Sequence, residues 1–298
     1  MMARLHQISR FGGLLPRHSA GFSTAPYGSI QATYNLKNGH PLHYTTHGPE
    51  NAAATFVLLH GAPGSHMDFK HLAPLLVRDN VNVLAFDLPG NGQTPAAAAG
   101  GMASLTAGAL ADVVVEAIDG LPLQRAFVLG HSCGGHTAIE VADRIQKVAG
   151  IALLNSMGLR PHQAIRPFAP IRFGAQKLRT PGFQRDVCVA INHWVYMNIF
   201  KFPKRTPVDD MTYAFQRSGT TDFDKIGRHV ASLGRRKVPS LVAIALDDVL
   251  VEKAIGHELG AILHPGVRLD YTRGGHNIQK TQCGVLAEAL LTWAQASV

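Results

Sequence analysis

Gly130-His131-Ser132-Cys133-Gly134-Gly135 sets a serine between glycines two residues away on either side, directly after the apolar run Arg125–Leu129. A hydroxyl becomes an accessible nucleophile when a sharp strand-to-helix turn pushes it out above a sheet. Side chains two residues before and after the serine collide across such a turn, and glycine removes them. The helix that follows aims backbone N–H groups at developing negative charge. The chemistry expected of this segment is therefore attack by Ser132 on an electrophilic carbon.

A serine needs a base, and the base needs an acid that orients it. Pro239–Leu246 reads as a strand that runs into Asp247-Asp248. Either aspartate can serve as the acid, the other being a turn or helix-cap residue. Leu269-Asp270-Tyr271 leads to Gly274-Gly275-His276, a glycine turn that lets the ring swing over the serine. The chain order Ser132, Asp248, His276 is the one this arrangement expects. His131 and His136 are nearer in sequence, but they lie on or beside the turn, whereas a base must approach the hydroxyl from outside it. Donors for an oxyanion come from His60-Gly61-Ala62-Pro63-Gly64-Ser65, a small-residue loop leaving a strand. The N–H of Ala62 together with that of Cys133 makes a two-donor oxyanion hole.

These side chains need a scaffold, and hydrophobic patterning supplies it. Residues 55–59, 81–86, 125–129 and 148–154 are short continuous apolar runs, the mark of strands buried on both faces. Residues 241–246 and 267–271 complete the set, and residues 30–46 read as two strands around Lys37-Asn38-Gly39. Helical stretches are expected over 66–78, 104–119 and 133–147. Strands alternating with helices predict an α/β fold, a mostly parallel central sheet with helices on both faces. The core is expected over 30–159 and 238–298. Residues 160–237 break the alternation, are rich in Arg and Pro, and contain aromatic helix-like pieces, so they read as a helical cap or lid insertion.

Composition narrows the function classes. The 298 residues are 46% hydrophobic and 16% charged, enough to bury a sizeable core. No run of ~18 apolar residues exists, so no transmembrane helix is expected. Cys133, Cys188 and Cys283 are an odd number without a CxxC pair, which speaks against a disulfide framework and a zinc ribbon. The sixteen histidines are scattered without metal-ligand spacing, so neither a metal nor a cofactor is expected. The net charge of +8 is local: residues 160–237 hold fifteen basic and five acidic residues. No nucleic-acid motif accompanies that charge, and nucleic acid is not the expected partner. The expected partner is a small-molecule acyl substrate. The ordinary reading of the basic segment is a solvated lid exterior, and the sharper one is that some of Arg160, Arg166, Arg172 and Arg179 steer an anionic substrate or meet an anionic membrane surface. Residues 1–24 have spaced arginines, Ser and Thr, no acid, and Leu5, Ile8, Phe11 and Leu15 at helical spacing, the composition of a mitochondrial transit peptide. Mitochondrial localisation is therefore expected.

With HGAPGS after one buried strand, Asp87-Leu-Pro-Gly-Asn-Gly92 after the next, GHSCGG at the turn and an Asp and a His late in the chain, the sequence resembles the α/β-hydrolases over about residues 30–298. That family's acid stands in a pattern like G-x-x-D-x-x-V-P. The matching stretch Ala245–Glu252 selects Asp248 over Asp247, with Ala245 in place of the usual Gly and Glu252 in place of the usual Pro. Relatives of this fold that open epoxides or cleave haloalkanes carry Asp at the nucleophile position, and Ser132 departs from them. The stretch after His276 lacks the H-x-x-x-x-D pattern of the acyltransferase branch. The resemblance implies a serine hydrolase that cleaves an ester or thioester through an acyl-enzyme. The alternatives are carbon–carbon bond or peptide hydrolysis on the same scaffold, and a non-catalytic binding protein that keeps the motifs.

Overall fold

The computed structural model describes residues 28–263 and 266–297. The transit-peptide expectation for residues 1–24 lies outside them. Eight strands, β1 (Ile30–Asn35), β2 (Pro41–His47), β3 (Ala54–Leu59), β4 (Val81–Phe86), β5 (Ala126–His131), β6 (Val148–Leu154), β7 (Ser240–Ala245) and β8 (Val267–Tyr271), form one sheet. Its order is β1-β2-β4-β3-β5-β6-β7-β8. The hairpin β1–β2 is antiparallel and β2 runs antiparallel to β4; the other neighbours are parallel.

The apolar runs form central strands because both of their faces are covered. Val57, Leu59, Val128, Ile151 and Leu153 pack on one side of the sheet, where α2 (Ala107–Gly120) and α3 (Cys133–Arg144) contribute Leu110, Val114, Ala138 and Ile139. Their neighbours Phe56, Leu58, Phe127, Leu129, Ala152 and Leu154 point to the other side. There they meet α1 (Ala73–Leu76) and α10 (Cys283–Ala296) through Leu76, Leu286, Leu290 and Trp293. Successive side chains alternate between two cores, so the middle of each of these strands is apolar on both faces, and buried polar residues stand only near strand ends, as Thr55 and His131 do. β1 and β8 are the two sheet edges, and the residues of β8 are exposed or half-buried.

The expected helix over 66–78 is instead a single 3₁₀ turn at His66–Phe69 followed by α1. Pro74 explains the break: it has no N–H to give to residue 70, and its ring clashes with the preceding turn, so a new helix starts around it. Between β6 and β7 the chain builds α4 (Phe168–Leu178), α5 (Phe183–Asn198), α6 (Val208–Gly219) and α7 (Phe223–Arg235). After β7 come α8 (Lys253–Ile262), and after β8 the short α9 (Ile278–Thr281). Glu252, at the start of α8, accepts hydrogen bonds from Arg160, Arg166 and the N–H of Gln163. It thereby ties the first residues of the helical segment to the core.

The sheet order reverses at β3, which has β4 on one side and β5 on the other. Loops leaving the carboxyl ends of such strands diverge and open a crevice. The loops after β3 and β5 are the two that carry His60–Ser65 and Ser132.

Candidate active site

Ser132 stands between β5 and α3 with φ 53° and ψ −124°. A side chain in this left-handed region is strained, and the surrounding backbone holds it there. The Ser132 N–H donates to Leu154 O at 3.1 Å, and its carbonyl accepts from Gly135 at 2.9 Å and Met157 at 3.2 Å. The glycines earn their places by contact: a Cβ on Gly130 would strike the Gly134 backbone, and one on Gly134 would strike Leu59 O.

The structure brings His276 to the same cavity as Ser132. The His276 Nδ1–H donates to Asp248 Oδ2 at 2.8 Å. Asp248 has a fully buried side chain, and its Oδ1 accepts the N–H groups of Leu250 (2.8 Å) and Val251 (3.2 Å). Burial by itself would raise its pKa; the hydrogen bond and charge of His276 and the two backbone donors outweigh that and hold the carboxyl below its ordinary value. Asp247 points elsewhere: its Oδ1 accepts from Gly274 N (3.0 Å) and Gly275 N (2.8 Å), fixing the glycine turn that presents His276.

Ala62 and Cys133 line the cavity beside Ser132. The loop comes so close that a Cβ on Gly61 would lie 3.2 Å from the Ser132 Cβ. His60 clamps this loop from beneath. Its Nδ1–H donates to Gly61 O at 2.7 Å and its Nε2 accepts from Leu88 N at 2.9 Å. Asp87 accepts from the N–H and ring of His66 and from Gln93 N.

Three further residues position the site in roles that the sequence reading did not assign. Asn155, at the end of β6, donates to the carbonyls of Gly275 and His276 at 2.9 Å each and accepts from Ala245 N at 2.8 Å. The His131 ring lies against that of His276, centroids 4.8 Å apart and planes tilted by 52°, and its Nε2–H donates to the His276 carbonyl at 2.9 Å. Arg217 of α6 is buried, reaching His60 O and Gly61 O at 3.4 Å and Thr137 Oγ1 at 2.9 Å. It joins the helical segment to both the loop and the elbow helix. A polar residue closing a buried strand was the one available hint for Asn155; Arg217 and His131 depend on long-range packing.

The cavity has a volume of about 770 Å³. Ile171, Val195, Tyr196, Phe202 and Phe215 from the helical segment give it an apolar wall, and Asp68, Lys280, Arg205 and Asp210 add charge. Of the four arginines expected to steer an anion, Arg160 is paired with Glu252 and Glu258, Arg166 with Glu252, and Arg179 donates to Ala103 O. Among the described residues, no group of three or more His, Cys, Asp or Glu could hold a metal ion.

The histidines around the site are kept neutral. Burial lowers the pKa of His60, His136 and His162 to about 4 each, and burial together with the nearby His276 lowers that of His131 to about 3. Their unfolded value is near 6.5. Between about pH 4 and 6.5 the unfolded chain therefore binds protons that the native state refuses, so stability falls as pH drops through that window. Each histidine contributes a slope of about 1 kcal/mol per pH unit. His66, raised by its bond to Asp87, opposes the four. Urea midpoints should accordingly drop steeply from pH 7 to pH 5; equal midpoints would mean that these rings protonate in place.

The comparisons with known proteins agree with this architecture. The chain is 27% identical over 266 residues to "Putative carbamate hydrolase RutD" of Variovorax paradoxus, covering 84% of this chain and 95% of that one. It is 28% identical over 243 residues to a 2-hydroxy-6-oxononadienedioate/2-hydroxy-6-oxononatrienedioate hydrolase of Cupriavidus pinatubonensis, covering 75% and 81%. Among solved structures, haloalkane dehalogenase DbeA of Bradyrhizobium elkani superposes with a TM-score of 0.70 at 19% identity, covering 91% of this chain and 99% of that one, a likeness of fold. The family model described as "Alpha/beta hydrolase of unknown function (DUF1057)" matches residues 43–289, most of the chain, and the protein belongs to that α/β-hydrolase family.

Proposed function

We propose that this α/β-hydrolase cleaves a carboxylic ester or thioester through an acyl-enzyme formed on Ser132. The observation that carries the reading is the His276–Asp248 bond in a cavity shared with the elbow serine. In the proposed cycle His276 takes the Ser132 proton as Oγ attacks the acyl carbon. The oxyanion is held by the N–H groups of Ala62 and Cys133. His276 then protonates the leaving group, and water repeats the sequence to release the acid. Asp248 keeps the proton on Nδ1, so that Nε2 is free to act as base. The apolar wall from α4–α6 suits an aliphatic or aromatic acyl group, and the helical segment acts as a lid over it. No metal or organic cofactor has a step in this cycle.

A second reading, carbon–carbon bond hydrolysis, is favoured by the name of the Cupriavidus relative. Labelling with a fluorophosphonate probe tests the class: the wild-type chain should be labelled and Ser132→Ala should not. An unlabelled wild-type chain would point to a binding protein. A panel of esters, thioesters and vinylogous 1,5-diketones then separates the two hydrolytic readings.

A further inference from the structure

Helix α5 has two working faces. Asn192 and Tyr196 are buried, and Val195 and Tyr196 line the cavity. On the other side stand Phe183, Val187, Ile191 and Trp194, spaced by four, four and three residues and so confined to one stripe of the helix. They are 81%, 40%, 59% and 58% exposed. The stripe continues beyond the helix. Phe173 of α4 is also exposed and shares a surface groove with Phe183, Lys177 and Arg185. Isolated exposed apolar side chains are ordinary, but a contiguous stripe of large ones marks a surface that another phase or molecule covers.

The surrounding charge identifies the cover. From residue 168 to 205 the sequence carries seven basic residues against the single acid Asp186. Of these, Lys177 and Arg185 share the groove with Phe173 and Phe183, whereas Arg179 donates to Ala103 O and Arg205 lines the cavity. The Lys177 Nζ lies over the Phe173 ring, 5.2 Å from its centroid, so a positive charge sits on the aromatic patch itself. Bringing two copies of this face together would oppose like charges around the apolar stripe, which disfavours a symmetric dimer. A helix face that bears Phe183 and Trp194, bordered by Arg185 of the same helix and Lys177 of α4, suits a negatively charged lipid surface.

We propose that the exposed face of α5, with Phe173, docks this protein on an anionic membrane surface. Phe183, Ile191 and Trp194 enter the headgroup–acyl boundary while the basic rim meets the lipid phosphates. Because the inner face of the same helix lines the cavity, docking sets the cavity wall one helix away from the lipid. The docking does not depend on the acyl-enzyme reading.

The test uses the full chain and its Ser132→Ala form, so that binding is measured apart from any hydrolysis. Vesicles of phosphatidylcholine are compared with vesicles containing phosphatidylserine, by co-sedimentation and by tryptophan emission. The chain has two tryptophans, and Trp293 is buried against Phe127, so a blue shift reports Trp194. The expected result is binding to the phosphatidylserine vesicles that added salt weakens, with a Trp194 blue shift and quenching by brominated lipid. Ile191→Asp should weaken that binding by about tenfold or more, from the loss of one buried apolar side chain, with an unchanged melting curve. Absence of binding to either vesicle, equal binding to both, or a solution dimer that Ile191→Asp dissolves would overturn the proposal. Brominated-lipid quenching in the unsubstituted chain decides the question should the variant fail to fold.

Discussion

Ser132→Ala should lower turnover on the best ester by about 10⁴-fold or more while leaving the fold intact. The size follows from the role: without the hydroxyl no acyl-enzyme forms, and what remains is the contribution of the oxyanion donors and of substrate binding. The fold should survive because the residue's structural work is done by its backbone. The N–H bond to Leu154 and the carbonyl bonds to Gly135 and Met157 do not involve the side chain. Alanine also keeps a Cβ at the same positive φ, so the strain of the turn is carried over unchanged. Ser156, the buried serine nearby, has its hydroxyl engaged with Met157 O at 2.7 Å and offers no substitute. Matched melting curves together with near wild-type hydrolysis would remove Ser132 from the mechanism.

What could be read from sequence follows a physical division. The central strands were legible because their alternating side chains enter two cores, which forces an unbroken apolar run. The elbow was legible because Gly130 and Gly134 meet backbone directly, so residue type is dictated within five positions. The helix limits around Pro74 were less so, since two short turns share the periodicity of one helix. Arg217 and Asn155 were hidden because their partners lie far away in the chain: Arg217 meets Thr137 across 80 residues, and Asn155 reaches the His276 carbonyl across 121. The basic segment shows the same limit. Counting charges found it, but only the fold shows that Arg160 and Arg166 are held by Glu252 while other cations border an exposed apolar stripe.

The adjacent aspartates should separate cleanly in kinetics. Asp248→Asn is expected to lower kcat by about 10³–10⁴-fold, because an amide in place of Oδ2 can donate to Nδ1 and so select the tautomer that cannot accept the serine proton. The backbone donors of Leu250 and Val251 would still find the amide oxygen, so the loss should come without unfolding. Asp247→Asn should cost no more than about tenfold, since its carbonyl oxygen can still receive the N–H groups of Gly274 and Gly275. Asp247→Ala removes that acceptor. It frees the glycine turn and should cost more than Asp247→Asn, yet less than Asp248→Asn, because the imidazole keeps its own partner and its carbonyl stays tied to Asn155 and His131. Steady-state kinetics of the three variants on one ester give the order directly. Equal losses at the two positions, or a larger loss for Asp247→Asn, would transfer the orienting role to Asp247 and leave Asp248 as the residue that merely closes the turn at Val251.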